Sequence, residues 1–270
     1  MKIAAIQVSS CEDVSRNLKK ASQYLEASAL KGAKIACFPE LFAYPWFPDS
    51  EDESKKELAE ELGGLVTGEM ARLARANSIA VVCPFFEKGE EGKLFNSAAI
   101  FNSKGDLAGL YRKVHVPRLD HWEEKFYFQG GDKGFGVFEV DGVKIGIQLG
   151  WDNFFPEGFR ALGLGGAQVV LLPGAAAFAS AERWLAMGVS HAVANNFFVV
   201  RVNRSGHEGG LDFYGNSYCV RPDGELAIEP LGMNEGIMLV DCELSMTGLC
   251  RRMWPFYDDR RPDQYAALSK

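Results

Sequence analysis

The chain has 270 residues, a formal net charge of −7 at pH 7 and a hydrophobic fraction of 47%. A chain of this size can form one α/β domain that buries about three quarters of the surface its unfolded form exposes. The acidic balance and the lack of a basic cluster argue against nucleic acid as a main partner and give no signal for a membrane surface, and no stretch is long enough to span a bilayer. We therefore expect one domain, residues 1–270, with a small-molecule ligand.

The cysteines, the histidines and the N-terminal segment bear on location and on metal binding. Met1–Val8 is too short an apolar run for a signal peptide and predicts a first strand. The six cysteines are scattered without C-x-x-C spacing, so no disulfide framework is expected. The four histidines show no spacing typical of a metal cage. These features predict a reducing, cytoplasmic location and no metal.

Short β-branched runs alternate with amphipathic stretches along the first part of the chain. After the strand Lys2–Val8, the spacing predicts a helix with one apolar face, formed by Val14, Leu18, Ala21, Leu25 and Ala29. The next strand, Ile35–Phe38, stops at Pro39 and Glu40. Glu40 therefore stands at the carboxyl end of a strand, where open α/β folds build their sites.

The middle of the chain is rich in predicted strands. The acidic and lysine-rich stretch Asp49–Glu61 predicts a loop followed by a solvated helix face, with Glu51/Lys55 and Asp52/Lys56 at i,i+4 spacing. Turn residues separate the runs that follow. These strands are predicted at Ile79–Pro84, Ser97–Phe101, Leu107–Tyr111, Val137–Val140 and Val143–Leu149.

The second half of the chain repeats the pattern of the first. Lys144–Leu149 is similar to Lys2–Val8, and Gly166–Pro173 is similar to Gly32–Pro39. Two related βαβ halves can each supply one sheet. Two mixed sheets packed face to face, with helices outside, give an α/β four-layer α-β-β-α sandwich with pseudo-twofold related halves.

Several motifs in a fixed order carry a family resemblance. They are Phe38–Leu41, Tyr111–Pro117, Glu124–Phe128, Gly150–Glu157, Phe213–Ser217 and Asp259–Asp263. Together they resemble the nitrilase, or carbon–nitrogen hydrolase, superfamily over essentially the whole chain. Within it, the chain is most similar to the N-carbamoylputrescine amidase and β-ureidopropionase group.

The resemblance implies a reaction and roles for particular residues. Members hydrolyse amide, carbamoyl or nitrile bonds through a cysteine thioester, without a cofactor, and are commonly dimers or larger. Carried over, Glu40 is the base, Lys113 the oxyanion partner, and Glu124 orients Lys113. The backbone N–H of Trp151 completes the oxyanion hole.

The resemblance also indicates which residues line a pocket for a small amide or carbamoyl compound. They are Tyr44, Phe154, Ala175 and Tyr214, with Phe42, Trp46, Trp122 and Ala176 nearby. The sequence leaves two choices open for the ligand's far end. Arg118 or Arg183 could hold a carboxylate, and Glu123 or Asp152 could hold an amine.

The chain departs from the family at Gly150, which stands at the end of a strand where the cysteine nucleophile belongs. Glycine cannot attack a carbonyl, and it tolerates the strained backbone of a nucleophile turn. The thioester route is therefore closed unless another group substitutes. The candidates are Cys37, which is better explained as a core residue, and direct attack by water with Glu40 as base.

Three functions follow from this departure. The chain is an impaired or inactive hydrolase of N-carbamoyl amines or small amides, a pseudoenzyme that binds such a ligand, or an assembly partner of an active relative. We expect a homodimer as the minimum assembly. The tail, about residues 245–270 and including Trp254–Tyr257, is expected to pack at the dimer interface.

Overall fold

The computed structural model describes residues 1–177 and 181–269. The strands in this part of the chain are β1 Lys2–Gln7, β2 Ile35–Cys37, β3 Ala80–Lys88, β4 Leu94–Phe101, β5 Leu107–Arg112, β6 Val137–Val140, β7 Val143–Ile147, β8 Val169–Pro173, β9 Phe198–Val202, β10 Ser205–Glu208, β11 Leu211–Tyr214, β12 Tyr218–Val220 and β13 Gly236–Asp241. The α-helices are α1 Val14–Leu30, α2 Leu65–Asn77, α3 Glu124–Tyr127, α4 Pro156–Leu164, α5 Ala181–Asn195 and α6 Ser245–Met253.

The strands form two mixed sheets and a separate hairpin. One sheet has the order β13-β1-β2-β3-β4-β5, the other has the order β12-β9-β8-β7-β6, and β10 pairs with β11. In each large sheet the three central strands are parallel, and antiparallel strands flank them. The triplets β1-β2-β3 and β7-β8-β9 are the two related halves that the sequence predicted.

Most residues of the central strands are buried, and successive side chains point to opposite faces of the sheet. Both faces of each sheet are therefore apolar. The faces that meet between the sheets form one core, to which Ile3, Ile35, Val82, Ile145 and Leu171 belong. The outer face of the first sheet packs against α1 and α2, and that of the second packs against α4 and α5. The predicted four-layer α-β-β-α sandwich is confirmed.

The sequence explains where helix α1 begins, which of its faces is buried and where it ends. Asp13 accepts hydrogen bonds from the backbone N–H groups of Ser15 and Arg16, which caps the start of the helix. The predicted apolar face is buried at Leu18, Ala21 and Leu25. The helix ends at Leu30, two residues before Gly32, whose φ of +82° favours glycine.

The predicted loop and solvated helix in Asp49–Glu61 are present, but the ion pairs differ from those that the spacing suggested. The helix, Glu53–Leu58, is of the 3₁₀ type and has no buried residue, and another 3₁₀ helix, Phe47–Asp49, precedes the loop. Because a 3₁₀ helix brings residues i and i+3 together, Lys56 pairs with Glu53 at 2.9 Å. Neither predicted i,i+4 pair is among the salt bridges of the described residues, and Glu51 pairs with Arg118 at 2.8 Å instead.

The C-terminal part of the chain exposes apolar side chains. Leu249, Met253 and Trp254 have exposed fractions of 47%, 64% and 58%. They lie on and just after α6, and residue 270 of the predicted tail is outside the described residues. Among the described residues, no helix is both long enough and apolar enough to cross a membrane.

Candidate active site

Two carboxylates and one ammonium group form a buried cluster at the carboxyl ends of the strands. Glu40 follows β2, Lys113 follows β5, and Glu124 opens α3. The ammonium Nζ of Lys113 donates to Oε1 of Glu40 at 2.8 Å and to both Glu124 oxygens at 2.8 and 2.6 Å. Each of the three residues is only 1% exposed. The structure therefore brings together the three charged residues that the sequence singled out.

Asn96, on β4, is a fourth member that the sequence analysis missed. Its side-chain amide donates to Oε1 of Glu40 at 2.8 Å and lies 3.4 Å from Oε2 of Glu124. An amide inside a strand carries no motif, so only the pairing of β4 with β5 reveals its place beside Lys113. Asn96 fixes the orientation of the Glu40 carboxylate.

The cluster holds two acids and one cation, and this imbalance sets its proton affinity. Burial, together with the negative charge of Glu40, raises the pKa of Glu124 to about 7, although Lys113 opposes the shift. Burial lowers the pKa of Lys113, but its two carboxylate partners outweigh burial and raise it above its usual value. Lys113 therefore stays cationic near neutral pH, while Glu124 can exchange a proton.

Glu124→Gln should change how stability depends on pH. A carboxyl whose folded-state pKa is raised from 4.5 to about 7 contributes stability that is fully present below pH 4.5 and is lost as the pH rises through 7. Glutamine does not titrate. As the pH rises from 4.5 to 8, the unfolding free energy of Glu124→Gln should therefore increase relative to that of the wild type, by up to about 3 kcal/mol.

Urea unfolding at several pH values measures this difference. Glu123→Gln is the matched control, because it removes the adjacent carboxylate, whose side chain is partly exposed and paired with Arg118. A constant offset between Glu124→Gln and the wild type across this pH range would contradict the predicted proton exchange.

Gly150 stands at the strand-end turn beside this cluster. It follows Leu149, opens a 3₁₀ turn over Gly150–Phe154 and has a φ of +44°. A side chain here would place its Cβ 2.9 Å from Oε1 of Glu40 and in overlap with Oε2. The carboxylate of Glu40 therefore takes up the volume that a side chain at position 150 would need.

Asp152 holds the turn in place. This fully buried carboxylate accepts hydrogen bonds from the N–H of Leu149 at 2.9 Å, the hydroxyl of Tyr111 at 2.7 Å and the N–H of His115 at 2.9 Å. Nδ1 of His115 also lies 2.8 Å from it. The sequence offered Asp152 as an amine ligand, but its contacts are those of a support for the turn.

Aromatic side chains form a cluster that begins at Trp151, the residue after Gly150. The rings of Trp151 and Phe154 are 4.9 Å apart, and those of Phe154 and Trp184 are 5.0 Å apart. Ala176 and Tyr214 pack in the same cluster. The structure thus groups the predicted residues Phe154 and Tyr214 with Trp184, which the sequence analysis did not name.

Ala175 and Tyr44 make different contacts. The carbonyl of Ala175 accepts a hydrogen bond from the indole of Trp122 at 3.1 Å. The hydroxyl of Tyr44 donates to the carbonyl of Leu58 at 3.3 Å, and burial raises its pKa to about 12. Tyr44 borders a separate cavity of about 200 Å³ with Trp46, Phe47, Asp49 and Asp52, so its predicted place in the ligand pocket stays a prediction.

The arginines that the sequence offered for a carboxylate lie on the surface. The side chain of Arg118 is 63% exposed and pairs with Glu51 and Glu123. Arg183 is exposed on α5. By contrast, the wholly buried Arg204 donates to the carbonyls of Glu40, Leu41 and Tyr44 and so fixes the loop that carries the Glu40 carboxylate.

The site can polarise a carbonyl and move a proton. An ammonium group held by two carboxylates and shielded from water can stabilise a developing oxyanion, and the carboxylates can accept or return a proton. Within residues 1–177 and 181–269, no group of three or more histidine, cysteine, aspartate or glutamate side chains is arranged to hold a metal ion.

This architecture matches solved structures of the nitrilase superfamily. The carbon–nitrogen hydrolase from Helicobacter pylori G27 aligns with a TM-score of 0.95 at 30% identity, over 100% of this chain and 98% of that chain. A variant of the amidase from Nesterenkonia sp. AN1, in which acrylamide has added to the active-site cysteine, aligns with a TM-score of 0.84 at 26% identity, over 99% of each chain.

The chain belongs to the carbon–nitrogen hydrolase family, whose model matches residues 2–252. It is 34% identical to the N-carbamoylputrescine amidase of Solanum tuberosum, over 98% of this chain and 94% of that protein. The resemblance stated from the sequence is confirmed, both for the superfamily and for the group within it.

Proposed function

We propose that this protein binds a small amide or carbamoyl compound with the charged cluster of a carbon–nitrogen hydrolase and hydrolyses it weakly or not at all. The observation that carries the proposal is the position of Gly150. The turn beside Glu40, Lys113 and Glu124 has no side chain to attack the substrate, and the Glu40 carboxylate fills the place of that side chain.

The roles of the charged residues follow from their contacts. Lys113, held cationic by two carboxylates, is placed to stabilise negative charge on a carbonyl oxygen, and the N–H of Trp151 is the second donor. Glu40 is the base, because its carboxylate lies against the nucleophile turn. Glu124 orients Lys113 and exchanges protons near neutral pH. The ligand is then held by its carbonyl at Lys113.

The missing nucleophile is the reason to expect little turnover. The Nesterenkonia amidase has an active-site cysteine, where this chain is proposed to have Gly150. Cys37 is a poor substitute, because it is fully buried in the core between the sheets and burial raises the pKa of its thiol well above the usual value. A thiol that stays protonated is a weak nucleophile.

Direct attack by water is the remaining hydrolytic route, with Glu40 as its base. Water is a weaker nucleophile than a thiolate, and this route forgoes the covalent intermediate that divides one difficult step into two. We therefore propose ligand binding as the main activity.

Calorimetric titration of the wild type with n-pentylurea tests the binding claim. This neutral probe carries the carbamoyl group on a plain alkyl chain. We expect binding at micromolar to millimolar concentration, and we expect Lys113→Met to lose it because the carbonyl loses its cationic partner. Absence of binding by n-pentylurea, by simple amides and by carbamoyl compounds with a charged far end would overturn the proposed function.

We also propose that residues 1–270 form one domain and that the chain forms a homodimer through its C-terminal part. The exposed apolar side chains of Leu249, Met253 and Trp254 support this arrangement. An assembly role alongside an active relative would use the same surface, whereas the intact charged cluster favours a protein with its own ligand.

A further inference from the structure

Arg201, on β9, is a buried cation that meets no hydrogen-bond acceptor among the described residues. Its exposed fraction is 0%. None of its three guanidinium nitrogens has a hydrogen-bond partner among the residues that the structure describes, and it takes part in none of their salt bridges. Three aromatic rings surround it, with centroids 4.6, 5.4 and 5.8 Å from Cζ, which belong to Trp184, Tyr214 and Tyr218.

Arg204, three residues further on, shows what a structural buried arginine looks like in this protein. It is also 0% exposed, but it pairs with the carboxylate of Glu208 and donates to three backbone carbonyls. Aromatic rings attract a guanidinium group but supply no acceptor for its N–H donors. A buried arginine with unused donors is costly in a protein whose only task is to fold.

The position of Arg201 connects it with the candidate site. Phe198, Val200 and Val202 face the core between the sheets, so Arg201 faces the opposite side, toward α5 and Trp184. Trp184 and Tyr214 are also members of the aromatic cluster that contains Phe154 and Ala176. The guanidinium group therefore contacts the aromatic cluster that extends through Phe154 to Trp151, the residue after Gly150.

We propose that Arg201 binds a carboxylate of the ligand, which makes the ligand a carbamoyl or amide compound with an acidic far end. This inference rests on the proposed function above and names its ligand class. The unused N–H donors match the two oxygens of a carboxylate in a bidentate geometry. An amine at the same place would meet a like charge. The surface residues Arg118 and Arg183 are not needed for this contact.

Three probes that differ only at the far end test the proposal. 5-Ureidopentanoate, n-pentylurea and N-carbamoylputrescine share a ureido group on a four-methylene chain and end in a carboxylate, a methyl group and an ammonium group. In calorimetric titrations of the wild type, we expect 5-ureidopentanoate to bind at least about tenfold more tightly than n-pentylurea. N-carbamoylputrescine should bind more weakly than either.

Arg201→Met keeps an unbranched side chain and removes the charge and the N–H donors. We expect this variant to lose the preference for 5-ureidopentanoate while its affinity for n-pentylurea stays within about twofold. Arg201→Lys should keep part of the preference. Pentanoate, which has the carboxylate without the ureido group, should raise the melting temperature of the wild type and not that of Arg201→Met.

The outcomes separate the two claims. Equal binding of the three probes by the wild type, or tightest binding of N-carbamoylputrescine, would overturn the role of Arg201 and leave the proposed function standing. Binding of none of the three would overturn the proposed function. Even in that case, if pentanoate raised the melting temperature of the wild type but not that of Arg201→Met, the result would show that Arg201 binds an anion. The wild-type comparisons hold even if Arg201→Met fails to fold.

Discussion

Gly150→Cys should gain ammonia release from carbamoyl compounds, at least about a hundredfold above the wild type, while Gly150→Ala should gain none. Loss of the nucleophile from a covalent hydrolase costs several orders of magnitude in kcat, so its return should recover part of that loss. The cluster that the thiol needs is in place, with a cation at 2.8 Å from Glu40 and two oxygens of Glu124 bound to the same cation.

Both variants should also be less stable than the wild type. A side chain at a φ of +44° is strained by about 1 kcal/mol, and Glu40 must withdraw from the Cβ. Cysteine and alanine share these costs, so Gly150→Ala is the matched control for stability and for rate. Turnover should appear together with a substrate-dependent mass adduct on Gly150→Cys. Equal inactivity of both variants, each folded, would contradict the claim that the charged cluster still works.

Lys113→Met should have the largest effect on stability. It leaves Glu40 and Glu124 side by side, each 1% exposed, without their cation. Removing one partner of a buried ion pair costs about 3–5 kcal/mol, because the remaining charge has no compensation. We expect a loss of this size at pH 8 in urea unfolding. At pH 5 the loss should be smaller, because burial raises the pKa of Glu124 and a protonated carboxyl needs no cation.

Lys19→Met is the control for this experiment, since Lys19 is an exposed residue of α1. Its effect should stay within about 0.5 kcal/mol at both pH values. A loss for Lys113→Met that is small, or that is the same at pH 5 and pH 8, would show that the two carboxylates do not depend on Lys113 for their charge.

The fold could be predicted from the sequence where the local pattern coincides with burial. The strand Val137–Val140 has the predicted bounds, and the similarity of Lys144–Leu149 to Lys2–Val8 reflects two parallel triplets. In Asp49–Glu61 only the ion pairs could not be predicted, because the spacing of charges in a sequence does not tell an α-helix, which joins i and i+4, from a 3₁₀ helix, which joins i and i+3. Contacts with Glu12 and Arg118, distant in sequence, helped to set the observed pairs.

The candidate site could be predicted only in part. Glu40, Lys113 and Glu124 stand in ordered motifs, and the structure places Lys113 within hydrogen-bond distance of both carboxylates. Asn96 and Arg201 lie inside strands, where neither a motif nor a charge pattern distinguishes them from ordinary sheet residues. Their significance depends on which strands are neighbours and on which face each side chain lies. Likewise, the sequence shows that position 150 is a glycine, but it does not show that the Glu40 carboxylate occupies the space that a side chain at this position would need.

Ammonia release by the wild type itself tests the central claim most directly. The protein is incubated with n-pentylurea, 5-ureidopentanoate and N-carbamoylputrescine at saturating concentration, beside a Glu40→Gln variant. We predict that the wild type releases at most a trace of ammonia above that of Glu40→Gln, because neither has a nucleophile at position 150. Sustained release by the wild type that Glu40→Gln abolishes would contradict the account and would show that Glu40 activates water for hydrolysis.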